Sequence, residues 1–433
     1  MISVDRWSDG SQAYFLTHLH ADHTAGLSPT WNRGPLFCSR TTAKLFPFKF
    51  PGFRLSLIRI VDVGRWHSLS LVSPASGLQT AVEAMAIDAH HCPGSVMYLF
   101  RGEFGYMLYT GDFRWQAASK RAQIGRTMLL NAIKNERLDI LYLDNTYCNP
   151  SYSFPSRDVA AQQVVDIIAS HPEHDIVIGI DTLGKEDLLL YISRVLKIKI
   201  WVWPERLQIM HLLGFHDIFT TKTSLTRVRA VPRYSFSIDT LEGLNSMHPT
   251  IGIMPSGLPW AAKSVRANKN PFGSSSVCHR KASKGSKVVD TCTNPNVKTV
   301  EQYHQYIYSV PYSDHSCFSE ILDFVKLLRP VHMKGIVSSS CSYVDPIYYL
   351  GHLCRENQPS GRLFWKSASK EGGGRVDGVQ TKSTAGISNF AEAERKRRSR
   401  RTDILGVRVN RVSLLRRLKR GAKIVENELC GLL

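Results

Sequence analysis

The run Thr17-His18-Leu19-His20-Ala21-Asp22-His23 sets three histidines and one carboxylate within six positions, directly after the apolar run Ala13-Tyr14-Phe15-Leu16. Side chains this closely spaced do not share one helix face. They suit a loop at the carboxyl end of a strand, where alternate residues converge on one point. Imidazole and carboxylate are donors for zinc or a similar divalent ion, and this many in one place points to a hydrolytic centre built on two ions. A His-rich surface loop that binds nothing is the alternative, and it loses ground because further donors recur downstream.

Those donors sit where strands would end. Asp88-Ala89-His90-His91-Cys92-Pro93-Gly94 follows the apolar Ala84-Met85-Ala86-Ile87, so one histidine of the pair stands at a strand-to-turn junction. Thr110-Gly111-Asp112 closes the run 105–109 with a carboxylate able to bridge two ions. His315 follows the run 307–310. With His18, His20, Asp22 and His23 these supply seven ligands for two metals.

The elements that must position them alternate between strand and helix. Short buried strands are expected over 105–109 and 138–143, with Asp112 and Asp144 at their ends. From about 156 the rhythm becomes that of an α/β insert: helix 157–170, strand 175–180, helix 185–196, strand 197–203, helix 205–213 and strand 250–254. Strand 307–310, helix 320–328 and strand 331–337 follow. Between them lies a Ser/Lys/Gly/Asn-rich stretch, 256–300.

At 433 residues and 43% hydrophobic, the chain can bury a large core in two or more structural units. No stretch approaches the roughly 18 apolar residues of a membrane span, so no membrane partner is expected. Asp5 and Arg6 stand where a signal peptide would be apolar. Nine cysteines without a C-x-x-C pair argue against a zinc knot or a disulfide framework. The net charge of +19 is concentrated: residues 256–300 hold eight Lys/Arg against one acidic residue, and 356–433 hold 18 against eight, leaving about +2 elsewhere. Such segments suit phosphate backbones. The cluster Arg395-Lys396-Arg397-Arg398-Ser399-Arg400-Arg401 is of the kind that directs a protein to the nucleus.

The motif H-x-H-x-D-H, with a later His and a bridging Asp, resembles that of the metallo-β-lactamase superfamily. Within it, the words DAHHCPGS (88–95), YTGDFR (109–114), LDNTYCNP (143–150), LGKE (183–186) and VPYSDHS (310–316) are similar to those of the DNA-repair branch that carries a β-CASP insert. The resemblance covers about residues 1–350. It implies an α/β fold, a metallo-β-lactamase αββα sandwich with an inserted α/β β-CASP domain. The expected divisions are 1–156 and 301–355 for the sandwich, 157–255 for the insert, 256–300 for a basic loop and 356–433 for a basic tail.

Carried over by motif, His18, His20 and His91 hold one ion, Asp22, His23 and His315 the second, and Asp112 lies between them. Asp144 orients a ligand histidine and Asp5 supports the site from behind, so the catalytic set is Asp112, Asp22, His23 and Asp144. The chain departs from the family in having His90 before the ligand histidine, where Asn is usual, and Cys317 after the His-Ser pair, where Ser is common.

The implied activity is a metal-dependent 5′-to-3′ DNA exonuclease, using two divalent ions, zinc by expectation, in the repair of crosslinks, double-strand breaks or telomere ends. Its substrate would be DNA with a 5′ end, single-stranded or at a duplex terminus, its partners repair or telomere proteins, and its state monomeric. A 5′-phosphate would dock near Thr146, Lys185, Ser313 and Ser316. Val337, at the end of the last core strand where RNA-processing members carry histidine, favours DNA. An RNA-cleaving β-CASP nuclease and a DNA-end scaffold with weak catalysis are the alternatives.

Overall fold

Two sheets face each other across a layer of Phe15, Val82, Ala84, Ala86, Val96, Tyr98 and Phe100. One sheet is parallel, with strands Ile2–Val4, Ala13–Phe15, Leu36–Cys38 and Ile58–Ile60 in that order. The other has six strands, ordered His332–Gly335, Ile140–Leu143, Gly105–Tyr109, Val96–Gly102, Gln79–Asp88 and Trp66–Val72. Strand Gln79–Asp88 shows how sequence makes the layers: Val82, Ala84 and Ala86 face the opposite sheet, while Met85 and Ile87 alternate to the far side. There they meet helices Lys120–Ile133 and Phe318–Leu328 through Leu129, Ile133, Ile321, Phe324 and Val325. Helix Arg40–Lys49 covers the parallel sheet with Leu45 and Phe46, its start capped by the Ser39 side chain. The result is an αββα sandwich.

This computed structural model describes residues 2–73, 76–134, 136–257, 300–337 and 343–354. The expected basic loop, apart from 256, 257 and 300, and the tail from 356 lie outside the described residues. Met1–Asn357 forms one compact unit.

The insert is a seven-stranded sheet, ordered Phe219–Thr220, Ile200–Trp201, Val228–Pro232, Asp175–Ile180, Thr250–Pro255, Ile307–Val310 and Glu301–His304, parallel except at the last strand. Three expectations need correction. The strand expected over 197–203 shrinks to Ile200–Trp201, because Lys197 takes a left-handed φ as the cap of the preceding helix and Pro204 opens the next one. The division at 301 also moves: Ile307 to Val310 pair with Gly252 to Pro255, so this strand belongs to the insert's sheet and the chain returns to the sandwich only after Val310. Helix Phe318–Leu328 starts two residues earlier than expected, where the Cys317 N–H donates to Glu320 Oε2 at 2.9 Å.

Candidate metal centre

The sandwich strands deliver their carboxyl ends to one edge, and the site is built there. Ala13–Phe15 leads into the histidine run, Gln79–Asp88 into His91, Gly105–Tyr109 into Asp112, Ile140–Leu143 into Asp144, and the insert's Ile307–Val310 into His315. Gly111 has a positive φ of 54°, and a Cβ there would lie within 3 Å of Thr17, so only glycine lets these two loops close on each other.

Asp112 is the hub. Its carboxylate lies 3.2 Å from His23 Nε2, 3.6 Å from His91 Nε2, and 3.8 Å from both His18 Nε2 and His315 Nε2. Six of the seven expected ligands thus surround one buried point, counting His20, whose Nδ1 is 3.0 Å from His91 Nε2. The seventh, Asp22, is more open at 35% exposure and reaches within 3.9 Å of His23 Nε2.

Each imidazole is held by its outer nitrogen. Asp5, at a left-handed φ of 49°, accepts from His23 Nδ1 at 2.7 Å and from the Thr17 hydroxyl at 2.6 Å. With its proton spent on Asp5, Thr17 Oγ1 is left to accept from His18 Nδ1 at 3.0 Å. Asp144 accepts from His315 Nδ1 at 2.9 Å, and the backbone carbonyls of Asp314 and Leu183 accept from His91 Nδ1 and His20 Nε2, each at 2.9 Å. These bonds fix the tautomers so that the inner nitrogens present lone pairs.

That assignment tests whether the residues fit a metal. His91 Nε2 and His20 Nδ1 face each other at 3.0 Å with both protons directed outward, two lone pairs opposed unless a cation attracts both. His18 Nε2 is fully buried and has no hydrogen-bond partner among the described residues, a costly state for a nitrogen that a cation would satisfy. The donors group as His18, His20, His91 and Cys92; His18, His23 and Asp112; and His91, Asp112 and His315. Burial, with the neighbouring imidazoles next in effect, pushes His18 and His91 well below the usual histidine range, and burial lowers His20 as well. Burial also works against the charged forms of His23 and Asp112, but their mutual attraction prevails, raising His23 and depressing Asp112. Neutral imidazoles at His18, His20 and His91 beside the ionised Asp112 are what divalent ions bind, and at His23 an ion would take the place of the proton that Asp5 and Asp112 stabilise.

The His90-His91 ambiguity has a physical answer. His90 sits at φ 55°, a left-handed position that His and Asn both tolerate better than most residues, which accounts for one replacing the other. Its ring turns to Asp88 at 3.5 Å, and burial pushes it down to about 4, while His91 points inward.

The expected phosphate contacts lie around this centre already engaged. The Thr146 hydroxyl donates to Asp144 at 2.6 Å, Ser313 Oγ to the His315 carbonyl at 2.8 Å, and Ser316 Oγ to the Phe113 carbonyl at 3.1 Å. Lys185 Nζ pairs with Asp314 at 2.6 Å. These groups hold the ligand loops in place. Val337 lies just past the final strand, bonded through both backbone groups to the Asn145 side chain.

Sequence reasoning missed the clamps. Arg114, essentially fully buried, pairs with Glu320 at 2.8 Å and donates to the carbonyls of Ser313 and Pro155, fixing the turn that carries His315. Arg206, equally buried, pairs with Glu186 at 3.0 Å and donates to the carbonyls of Asp181 and Gly184, so it sets the loop whose Leu183 carbonyl holds His20. Arg114 closes the motif YTGDFR, but nothing in its spacing named its partners; Arg206 carried no signal. A cavity of about 350 Å³ opens beside His91, lined also by Arg121, Arg157, Lys185 and Tyr312.

An αββα sandwich with a histidine and aspartate cage at its strand ends and an α/β insert over it defines a metallo-β-lactamase of the DNA-repair kind. The family model "DNA repair metallo-beta-lactamase" matches residues 215–340, and the chain belongs to this family. Within it, the chain is similar to the 5′ exonuclease Apollo of Gallus gallus, 37% identical over 353 residues that cover 81% of this chain and 64% of that protein. It is likewise 37% identical to Apollo of Danio rerio over 350 residues, 80% of this chain and 52% of the relative. To the DNA cross-link repair protein SNM1 of Arabidopsis thaliana it is 33% identical over 334 residues, 74% and 60%. The chain therefore spans about half to two thirds of the length of these relatives. Divalent metal binding follows from family and cage together.

Proposed function

We propose that this chain is a metal-dependent 5′-to-3′ exodeoxyribonuclease of DNA repair, active in the nucleus on DNA with a 5′ end. The observation that carries the proposal is the cage itself: one buried carboxylate, Asp112, within 3.8 Å of four imidazole nitrogens whose outer sides are all tied back. Similarity to Apollo and SNM1 supports DNA as the substrate and the 5′ end as the point of attack. Val337 supports DNA over RNA.

In this proposal His18, His20 and His91 hold one ion and Asp22, His23 and His315 the other, both zinc, with Asp112 shared. When bound, such a pair supplies Lewis acidity and a nucleophile at neutral pH for displacement at phosphorus. The protein's part is positional. Asp5, Thr17 and Asp144 keep His23, His18 and His315 in register; the Leu183 and Asp314 carbonyls do the same for His20 and His91. Of the expected phosphate contacts, Lys185 brings the only positive charge, and a 5′-phosphate would compete with Asp314 for it. The chain works as a monomer, with repair or telomere proteins as partners.

The test is digestion of single-stranded DNA labelled at its 3′ end, bearing a 5′-phosphate or 5′-hydroxyl, beside matched RNA and an Asp112→Asn control. Shortening from the 5′ end, favoured by the phosphate and abolished in the control, is expected. Cutting of RNA alone, or of neither, would sink the proposal.

A further inference from the structure

Tyr234 is 90% exposed, the most exposed of the large apolar side chains described. It lies in the short 3-10 turn Arg233–Ser235, directly after strand Val228–Pro232. That strand is parallel to Asp175–Ile180, with Pro232 level with Ile180, so the turn stands beside the loop that follows Ile180. This loop runs Asp181 to Lys185 and delivers the Leu183 carbonyl to His20. Arg233 meets Asp181 at 3.9 Å, and two residues of chain from Asp181 to Leu183 span at most about 7 Å. Tyr234 is therefore placed on the same rim as the metal ligands.

The turn is also firmly based. Phe236, two residues on, is buried with Val177, Leu241, Met254 and Ile307. Its ring occupies space left by two glycines of the neighbouring strands: a Cβ at Gly179 would come within 3.1 Å of it, and one at Gly252 within 2.6 Å. With Phe236 anchored inward, Tyr234 is presented outward on a fixed backbone. An apolar ring held rigidly in water next to an active site carries a cost that a stacking partner would recover. Arg233 supplies the complementary charge, since its pairing with the half-exposed Asp181 is loose and leaves guanidinium donors for a phosphate.

We propose that Tyr234 and Arg233 form a platform for the single strand at the active site, Tyr234 stacking on a nucleobase within the first few nucleotides of the 5′ end and Arg233 contacting the adjoining phosphate. Stacking on a single aromatic ring is indifferent to base identity, so the platform positions the strand without imposing sequence. The inference rests on the nuclease proposal above.

The full chain and its Tyr234→Ala and Tyr234→Phe variants would be compared on 5′-phosphorylated single-stranded DNA. Tyr234→Ala should raise KM about tenfold, within what base stacking supplies, with the change carried by KM rather than kcat, and Tyr234→Phe should behave as the parent. Removing the bases from the first few nucleotides should erase the difference between parent and Tyr234→Ala. On binding, 2-aminopurine at those positions, with phosphorothioate linkages to slow cutting, should lose fluorescence with the parent and not with Tyr234→Ala. Equal KM values and equal quenching for Tyr234→Ala would overturn the platform and leave the nuclease standing. A parent that neither binds nor digests DNA would overturn both.

Discussion

Asp5 makes three bonds with one carboxylate: it takes the backbone N–H and hydroxyl of Thr17 and the outer nitrogen of His23. Through Thr17 it also orients His18. Replacing it by Asn keeps the shape but puts an amide where a carboxylate accepted two protons, so the tautomers of two ligands lose their support. Asp5→Asn is expected to weaken metal retention about tenfold or more, measured as metal content after dialysis against graded chelator. Retention equal to the parent would mean that Thr17 and the fold alone hold these rings. The donor residues that meet around Asp112 were legible in the chain because their side chains carry the chemistry and recur at strand ends. The Leu183 and Asp314 carbonyls were not, because every residue has a carbonyl and only the folded path shows which one meets His20 or His91.

The loop between strand Asp175–Ile180 and helix Glu186–Leu196 shows how an element serves a site it does not belong to. Lys185 takes a left-handed φ of 63° to open the helix, Gly184 precedes it at 110°, and Arg206 holds the carbonyls of Asp181 and Gly184. Burial raises the Glu186 carboxyl and lowers the Arg206 guanidinium, so each is expensive without the other. Arg206→Met is expected to cost about 3 kcal/mol of stability, read from urea unfolding, and to reduce metal occupancy through His20. Full stability with reduced occupancy would instead confine Arg206 to loop geometry. The helices around this loop were legible from their apolar periodicity to within a residue or two. The short strand Ile200–Trp201 was overextended because apolar character continues past it on both sides, and the left-handed cap at Lys197 and the proline at 204 overrule that character.

For the whole molecule, the cage ties the sandwich to the insert, since His20 is held by an insert carbonyl and His315 hangs from an insert strand. Metal present at about 100 times its dissociation constant adds about 2.7 kcal/mol to the stability of the form that binds it. Stripping metal with chelator is therefore expected to lower the unfolding temperature by several degrees, and adding zinc back to restore it. An unchanged unfolding temperature would mean that the cage is complete without ions. The insert was legible from local pattern and the sandwich from the resemblance of its motifs, but the border between them was not: Ile307–Val310 looks the same in sequence whichever sheet it joins, and pairing with Thr250–Pro255 is decided over long range.

That pairing also governs when the centre can come into being. His18, His20, Asp22, His23, His91 and Asp112 leave the ribosome early, but the His315 imidazole and the Asp314 carbonyl that steadies His91 arrive only after the insert's sheet has gained its strand from Ile307 to Val310. A nascent or truncated polypeptide ending before that strand carries most of the donors and lacks the closure. Assembly of the full set of donors is thus tied to synthesis past His315, and a product terminated earlier is left with an open, incomplete cage.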